Sequence, residues 1–262
     1  MSAVATQWHA NGRLDLVLNR AEVHNAFDDE MIAELDAALA AAEQDSRVRV
    51  LLLRATGRSF SAGADLRWMA RMAEASTSDN YSDALRFARM LERLDRFPHP
   101  VVAVVQGPAY GGGVGLIAAC DIAIGIDSAR FALSEVRLGL VPAVISPYVI
   151  RAMGERASRR YFLTAETFDA REAVRLGLLH EVVEAAGFEA RLTELLASLA
   201  AGGPQAHSAA KLLLHDIRDA GSDLDLGALT AGRIADLRRS PEGQEGIRAF
   251  IDKRKPIWTS DV

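Results

Sequence analysis

The sequence predicts an α/β fold, and three observations predict it. Apolar, β-branched runs at residues 48–55, 99–106 and 121–126 have the length and composition of buried strands. The first two lead into turns of glycine, alanine and serine that open helices, at 59–67 and 107–121. From residue 143 onward the apolar spacing is overwhelmingly helical, and antiparallel hairpin signals are few throughout.

In chain order, residues 6–10 and 13–18 flank Asn11-Gly12, a strong hairpin signal. A helix follows residues 18–27, with Asp28 or Asp29 able to cap it and Met31, Leu35, Ala38, Leu39 and Ala42 on one face. The strand at 48–55 ends in the loop 56–64. Residues 65–73 continue as a helix whose Trp68, Met69 and Met72 can wall a ligand pocket or simply fill core. Residues 79–96 form a longer helix with Phe87, Met90, Leu91 and Leu94 inward, and the polar run 77–80 before it reads as a mobile loop. Strands at 99–106, 121–126 and 129–133 surround the glycine-rich helix start at 107–121 and are followed by Ser134-Glu135. Helices are expected at 144–153, 156–163, 169–176, 187–201, 204–220, 224–238 and 241–253. Gly202-Gly203-Pro204 is the clearest break, which divides a core at 1–200 from a helical C-terminal region at 201–262.

Composition narrows the class. A chain of 262 residues that is 50% hydrophobic can bury a sizeable core, as one large domain or one domain with an appendage. A net charge of −5 gives no basic footprint for nucleic acid, and Arg156, Arg159 and Arg160 read as a solvated helix face. The single cysteine, Cys120, excludes a disulfide framework. The six histidines, including His24, show no ligand spacing, so no metal is expected. No run reaches the about 18 apolar residues of a membrane span. The start MSAVATQWH has neither the charge nor the apolar core of a signal peptide, so a cytoplasmic protein is expected.

The chemistry-bearing feature is bare backbone. Gly111, Gly112 and Gly113 lie between a buried strand and the small-residue helix 114–120, whose first N–H groups have no intrahelical partner and sit at the positive end of its dipole. An isolated glycine triplet is more simply a tight packing joint. A dinucleotide fingerprint would need glycine at position 116, where Leu116 stands. A second joint at Ala62, Gly63 and Ala64 raises the functional reading, because two strand-turn-helix bends can offer one N–H each to a single thioester oxygen. Ser59 and Ser61 complete no G-x-S-x-G elbow, so a hydrolase nucleophile is unsupported.

Taken together, SFSAGADL at 59–66, GPAYGGGVGL at 107–116 and FALSEVRLGLVP at 131–142 resemble the enoyl-CoA hydratase/isomerase (crotonase) family in order and spacing. The resemblance runs from LNRAEVHNAF at 18–27 to AFIDKRKPIW at 249–258. Within the family, residues 139–166 are most similar to bacterial 3-methylglutaconyl-CoA hydratases of leucine degradation and their branched-substrate relatives, such as the gamma-carboxygeranoyl-CoA and isohexenylglutaconyl-CoA hydratases.

The resemblance implies an α/β crotonase (ClpP-like) spiral of repeated ββα units with a helical C-terminal trimerisation region, in a homotrimer or homohexamer. It implies an acyl-CoA thioester substrate, CoA being part of the substrate rather than a cofactor, and no nucleic-acid or membrane partner. It assigns the thioester oxygen to the backbone N–H groups of Ala64 and Gly112, and a proton-moving carboxylate to Glu135. Ala62, Asp65, Leu66, Arg67, Gly111 and Gly115 match positions that line the substrate and CoA. Phe250 and Lys253 match a pair that reaches CoA, often from a neighbouring subunit. The loop 142–148 replaces a glycine-rich loop of many relatives, which makes Ile145, Ser146 and Tyr148 candidates for substrate choice.

One departure matters. Gly115 stands where two-glutamate hydratases carry their first glutamate. Three readings follow: a hydro-lyase (EC 4.2.1 type) that acts on 3-methylglutaconyl-CoA or a similar branched substrate with Glu135 alone, a Δ3,Δ2-enoyl-CoA isomerase, or a non-catalytic acyl-CoA-binding homologue.

Overall fold

The computed structural model describes residues 2–221 and 224–259. The chain opens with the predicted hairpin, β1 (Val4–Trp8) and β2 (Arg13–Leu18), and then α1 (Asp29–Glu43). Asp28 caps α1, its carboxylate accepting from Met31 N at 2.9 Å, and Met31, Leu35, Leu39 and Ala42 are buried. β3 (Val50–Ala55) leads to α2 (Leu66–Glu74) and α3 (Thr77–Asp95). Residues 77–80 are the first turn of α3 and not a loop. Ser76 caps that turn by accepting from Asp79 N, and Asn80 ties it to α2 by donating to Met72 O at 2.8 Å.

β4 (Val101–Val105), β5 (Ala109–Tyr110) and α4 (Gly112–Ala119) form the next unit, then β6 (Ile122–Ile126) and β7 (Arg130–Ala132) before α5 (Ser146–Met153) and α6 (Glu155–Thr164). β8 (Phe168–Asp169), α7 (Ala170–Leu176) and β9 (Glu181–Val183) follow, then α8 (Phe188–Ala200), α9 (Pro204–Asp219), α10 (Leu226–Arg239) and α11 (Pro241–Ile251). The sequence reading misses β5, β8 and β9. Each is two or three residues long and exists through pairing with a distant strand, not through a periodic pattern.

The main sheet runs β1-β2-β3-β4-β6-β9, antiparallel only between β1 and β2. Every residue of β4 is buried, as a parallel strand covered on both faces requires. Leu51, Leu53, Val101, Ala103 and Val105 enter the larger core with α1 and α3, while Leu52, Val102, Val104 and Ile124 meet Phe188 and Leu192 of α8. A small second sheet runs β5-β7-β8, and Ser61 adds a parallel bridge to Ala109 on its edge. Three successive units therefore place one strand in the main sheet, a short one in the second sheet, and then a helix. This is the crotonase spiral of strand-strand-helix turns.

Past the Gly202-Gly203 break, α9 is tied to the main body by Lys211, whose Nζ lies 2.7 Å from Asp121 Oδ2, and by His215 Nε2, 3.1 Å from Asp95 O. α10 and α11 pack mainly on α9 and on each other. No described helix is long and apolar enough to cross a membrane.

Candidate active site

The second sheet assembles the site by register. Ser61, Ala109 and Phe131 are neighbours across it. Three residues further along each segment stand Ala64, Gly112 and Ser134, with Glu135 next. Parallel pairing thus brings the two bare bends and the glutamate to the same end of one small sheet.

The bends touch. A Cβ built on Gly63 would lie 3.1 Å from Tyr110 O, and one built on Gly111 would lie 4.0 Å from Gly63 Cα. Both glycines have left-handed φ, 87° and 49°, which a side chain would strain. The amides flanking the key positions are used: Gly63 N donates to Ser61 Oγ at 3.2 Å, Asp65 N to Phe27 O at 2.7 Å and Gly111 N to Ala132 O at 3.0 Å. The N–H groups of Ala64 and Gly112 donate to no described residue. Gly112 also opens α4, so its free N–H sits at the positive end of that helix.

Glu135 starts a short 3-10 turn closed by Gly139 at φ 71°. Its Oε1 lies 3.0 Å from where a Cβ of residue 111 would be, so a side chain there would crowd the carboxylate. Oε2 is buried without a hydrogen-bond partner among the described residues. Burial pushes the Glu135 carboxyl above the usual carboxylate range. A half-buried acid near two free amides can move a proton beside a carbon whose carbonyl oxygen those amides hold.

The first bend is fixed by a clamp that sequence reasoning missed. Asn25 is fully buried; its Nδ2 donates to Thr56 O at 2.8 Å and Ser59 O at 2.9 Å, and its Oδ1 accepts from Arg20 N at 2.8 Å. Ser61 Oγ donates to Asn25 O, and Ala62 N donates to His24 O at 2.9 Å. Arg20 reaches Ala26 O, Asp28 and Asp65. Residues 20–26 therefore satisfy the backbone of the loop 56–64 instead of only their own. His24 and Asn25 take left-handed backbone, φ 56° and 54°, which asparagine tolerates, and no local sequence pattern marks partners so far along the chain. Asp65 caps α2 by accepting from Arg67 N at 2.8 Å. Burial raises its pKa, but that amide, Trp68 N and Arg20 outweigh burial and hold it below the usual range.

The other expected residues divide. α2 has no fully buried residue: Leu66 is 82% exposed, Arg67 is exposed, and Trp68, Met69 and Met72 are half-buried, with Trp68 packed against the main core. Trp68 Nε1 is buried without a partner among the described residues. Phe250 is 86% exposed on α11, and Lys253 beyond that helix is also exposed, so neither is packed into its own chain. In the loop 142–148, Ser146 Oγ donates to Ala143 O, and Tyr148 is buried with the Arg151 guanidinium over its ring. Ile145 faces Gly115. No group of three or more His, Cys, Asp or Glu among the described residues is arranged to hold a metal. A cleft of 1250 Å³ lies elsewhere, between the starts of β3 and β4 and α9; its Glu242 is occupied by the N–H groups of Gln205 and Ala206, and its Lys211 by Asp121.

Residues 10–261 match the family model described as enoyl-CoA hydratase/isomerase. A solved enoyl-CoA hydratase from Shewanella pealeana is 44% identical with a TM-score of 0.93, over 98% of this chain and 96% of that one. Pseudomonas aeruginosa AtuE is 38% identical with a TM-score of 0.94, over 98% and 99%. The trans-2-decenoyl-acyl-carrier-protein isomerase of Streptococcus mutans is 30% identical over 95% of each chain. The register-built site and these likenesses agree: the chain belongs to the enoyl-CoA hydratase/isomerase family.

Proposed function

We propose that the chain hydrates an α,β-unsaturated acyl-CoA thioester, with a branched acyl group of the 3-methylglutaconyl kind. The observation that carries this reading is the half-buried Glu135, whose Oε2 is buried and unpartnered among the described residues, beside a bend whose amide and that of its neighbouring bend donate to nothing described in the chain. Glu135, ionised, takes a proton from water as the water oxygen bonds to the β-carbon. The double-bond pair shifts to make an enolate, and the thioester oxygen that gains charge is held by Ala64 N and Gly112 N. Each donor contributes about 3–4 kcal/mol when judged by its removal. Glu135 then returns the proton to the α-carbon, the enolate collapses to the thioester, and the carboxylate is restored.

The branched acyl group rests on the similarity of residues 139–166 to hydratases of such substrates. Backbone of residues 62–67 takes the adenine, with Arg67 near phosphate. Phe250 and Lys253, exposed in the single chain, complete the CoA site of a neighbouring copy in a homotrimer or a homohexamer.

A second reading is favoured by Gly115 and Ile145, which leave one carboxylate at the site. A Δ3,Δ2-enoyl-CoA isomerase needs only one: Glu135 takes a proton from the α-carbon of a 3-enoyl thioester and returns it to the γ-carbon. Turnover of 3-methylglutaconyl-CoA, crotonyl-CoA and a 3-enoyl-CoA by wild type and Glu135→Gln separates the readings. Hydration of the branched ester that falls by about 10²-fold or more in folded Glu135→Gln is expected. Conversion of the 3-enoyl ester alone would reassign the reaction, and binding of CoA esters without turnover would reject an enzyme.

A further inference from the structure

We propose that Ile145 is a specificity-determining residue of this site. With Gly115 it fills with hydrocarbon the space where a second carboxylate would stand, and so leaves Glu135 to carry every proton. The inference rests on the acyl-CoA reading above and concerns which substrates the pocket disfavours.

The geometry is that of the first turn of α4 and its cap. Gly111 and Gly115 are one turn apart, with Gly115 N donating to Gly111 O at 3.2 Å. The open side of Gly111 faces the Glu135 carboxylate, where a Cβ would be 3.0 Å from Oε1. The open side of Gly115, one turn deeper, faces Ile145, where a Cβ would be 2.7 Å from Ile145 Cβ and closer still to its Cγ2. A side chain at 115 would run into Ile145, which leaves it no room.

Ile145 is not free to withdraw. It is 2% exposed, and its carbonyl accepts from Tyr148 N and Val149 N, both at 3.1 Å. The turn before it is closed by Ser146 N and Ser146 Oγ on Ala143 O. Glycine at 115 and isoleucine at 145 are thus a matched pair in a close-packed interior, where volume added to one side must be removed from the other. On the chemical side, hydrocarbon replaces an anion beside the reacting carbons, so water at the β-carbon has one carboxylate to hold it. A linear enoyl thioester, which brings no polar group of its own to orient that water, is the substrate this wall disfavours.

The rival explanation is that Gly115 and Ile145 only let α4 pack closely on α5. Two sets of variants separate the two. In the series Ile145→Val and Ile145→Ala, kcat/KM for crotonyl-CoA relative to 3-methylglutaconyl-CoA rises as the side chain shrinks, whereas a packing role lowers both together and leaves the ratio fixed. In the exchange set, Gly115→Glu alone loses folding or activity, while Gly115→Glu with Ile145→Gly folds and hydrates crotonyl-CoA at least about tenfold faster than wild type. That pair also adds a second ionisation to its pH profile. A Val-to-Ala series with an unmoved ratio, or a folded exchange pair with one ionisation and no gain on crotonyl-CoA, overturns the inference alone. A wild type inactive toward every CoA ester removes the functional reading and this inference with it.

Discussion

The bend at 61–65 and the bend at 109–113 lie side by side and present one free amide each, yet they are held by opposite means. The first is held by polar side chains: Asn25 takes the Thr56 and Ser59 carbonyls that lead into it, Ser61 Oγ bridges Gly63 N and Asn25 O, and Arg20 pairs with the Asp65 carboxylate. The second is held by the absence of side chains, with Gly111 at φ 49° and Gly113 so close to Ser61 that a Cβ would stand 2.8 Å from the serine Cβ. A polar clamp fails by leaving buried groups unsatisfied, whereas a glycine turn fails by steric overlap. The same amide geometry is therefore exposed to two different kinds of substitution.

Breaking the second bend carries the largest expected effect. Gly112 is the first residue of α4, where proline is tolerated, so Gly112→Pro removes one N–H while the helix persists. A fall in kcat of about 10²–10³-fold is expected, with far-ultraviolet circular dichroism unchanged. Gly112→Ala is the control, because it keeps the N–H and adds only a Cβ 3.3 Å from Phe27 and Phe87 ring atoms.

Breaking the first bend comes next. Asn25→Ala strands Thr56 O and Arg20 N, leaves Ser59 O with Gln106 Nε2 alone, and puts alanine at a left-handed φ, so a loss of about 2–3 kcal/mol in denaturant unfolding is expected, with activity lost alongside it. The acid that both bends face gives the third effect. Burial holds Glu135 above the usual carboxylate value, so kcat/KM should fall about tenfold per pH unit below that raised value and level above it. Its folded value exceeds its unfolded one, so the cost of ionising it in place appears as pH rises from the usual carboxylate range through the raised value. Glu135→Gln should accordingly raise Tm at neutral pH and leave it unchanged in acid. The smallest effect sharpens the comparison. Asp65→Ala removes the α2 cap beside the first bend and is expected to cost about 1 kcal/mol, read from the shift in the unfolding midpoint.

Much of this site is legible in the sequence because it is made of backbone. Runs of glycine and alanine after β-branched strands predict strand-turn-helix joints, so both bends could be located by number, whereas Glu135 was marked only by the family resemblance. The register that joins them could not, since β5 is two residues long and its pairing with Ser61 on one side and Phe131 on the other leaves no local pattern. Asn25 shows the same limit: its partners lie 31 and 34 residues away, so no local pattern marks them. Residues 77–80 read as a loop because Ser, Asp and Asn favour turns, and the same residue types favour helix starts. Ile145 was legible as a candidate for substrate choice, but its contact with Gly115 joins segments 30 residues apart and exists only once α4 and α5 pack.

The most direct measurement is the structure of Glu135→Gln with an enoyl-CoA thioester bound. The thioester oxygen is predicted within about 3 Å of both Ala64 N and Gly112 N, with the residue-135 side chain against the α- and β-carbons. A thioester oxygen reached by neither amide, or an acyl chain lodged away from residue 135, would contradict the convergence of the two bends on one carbonyl.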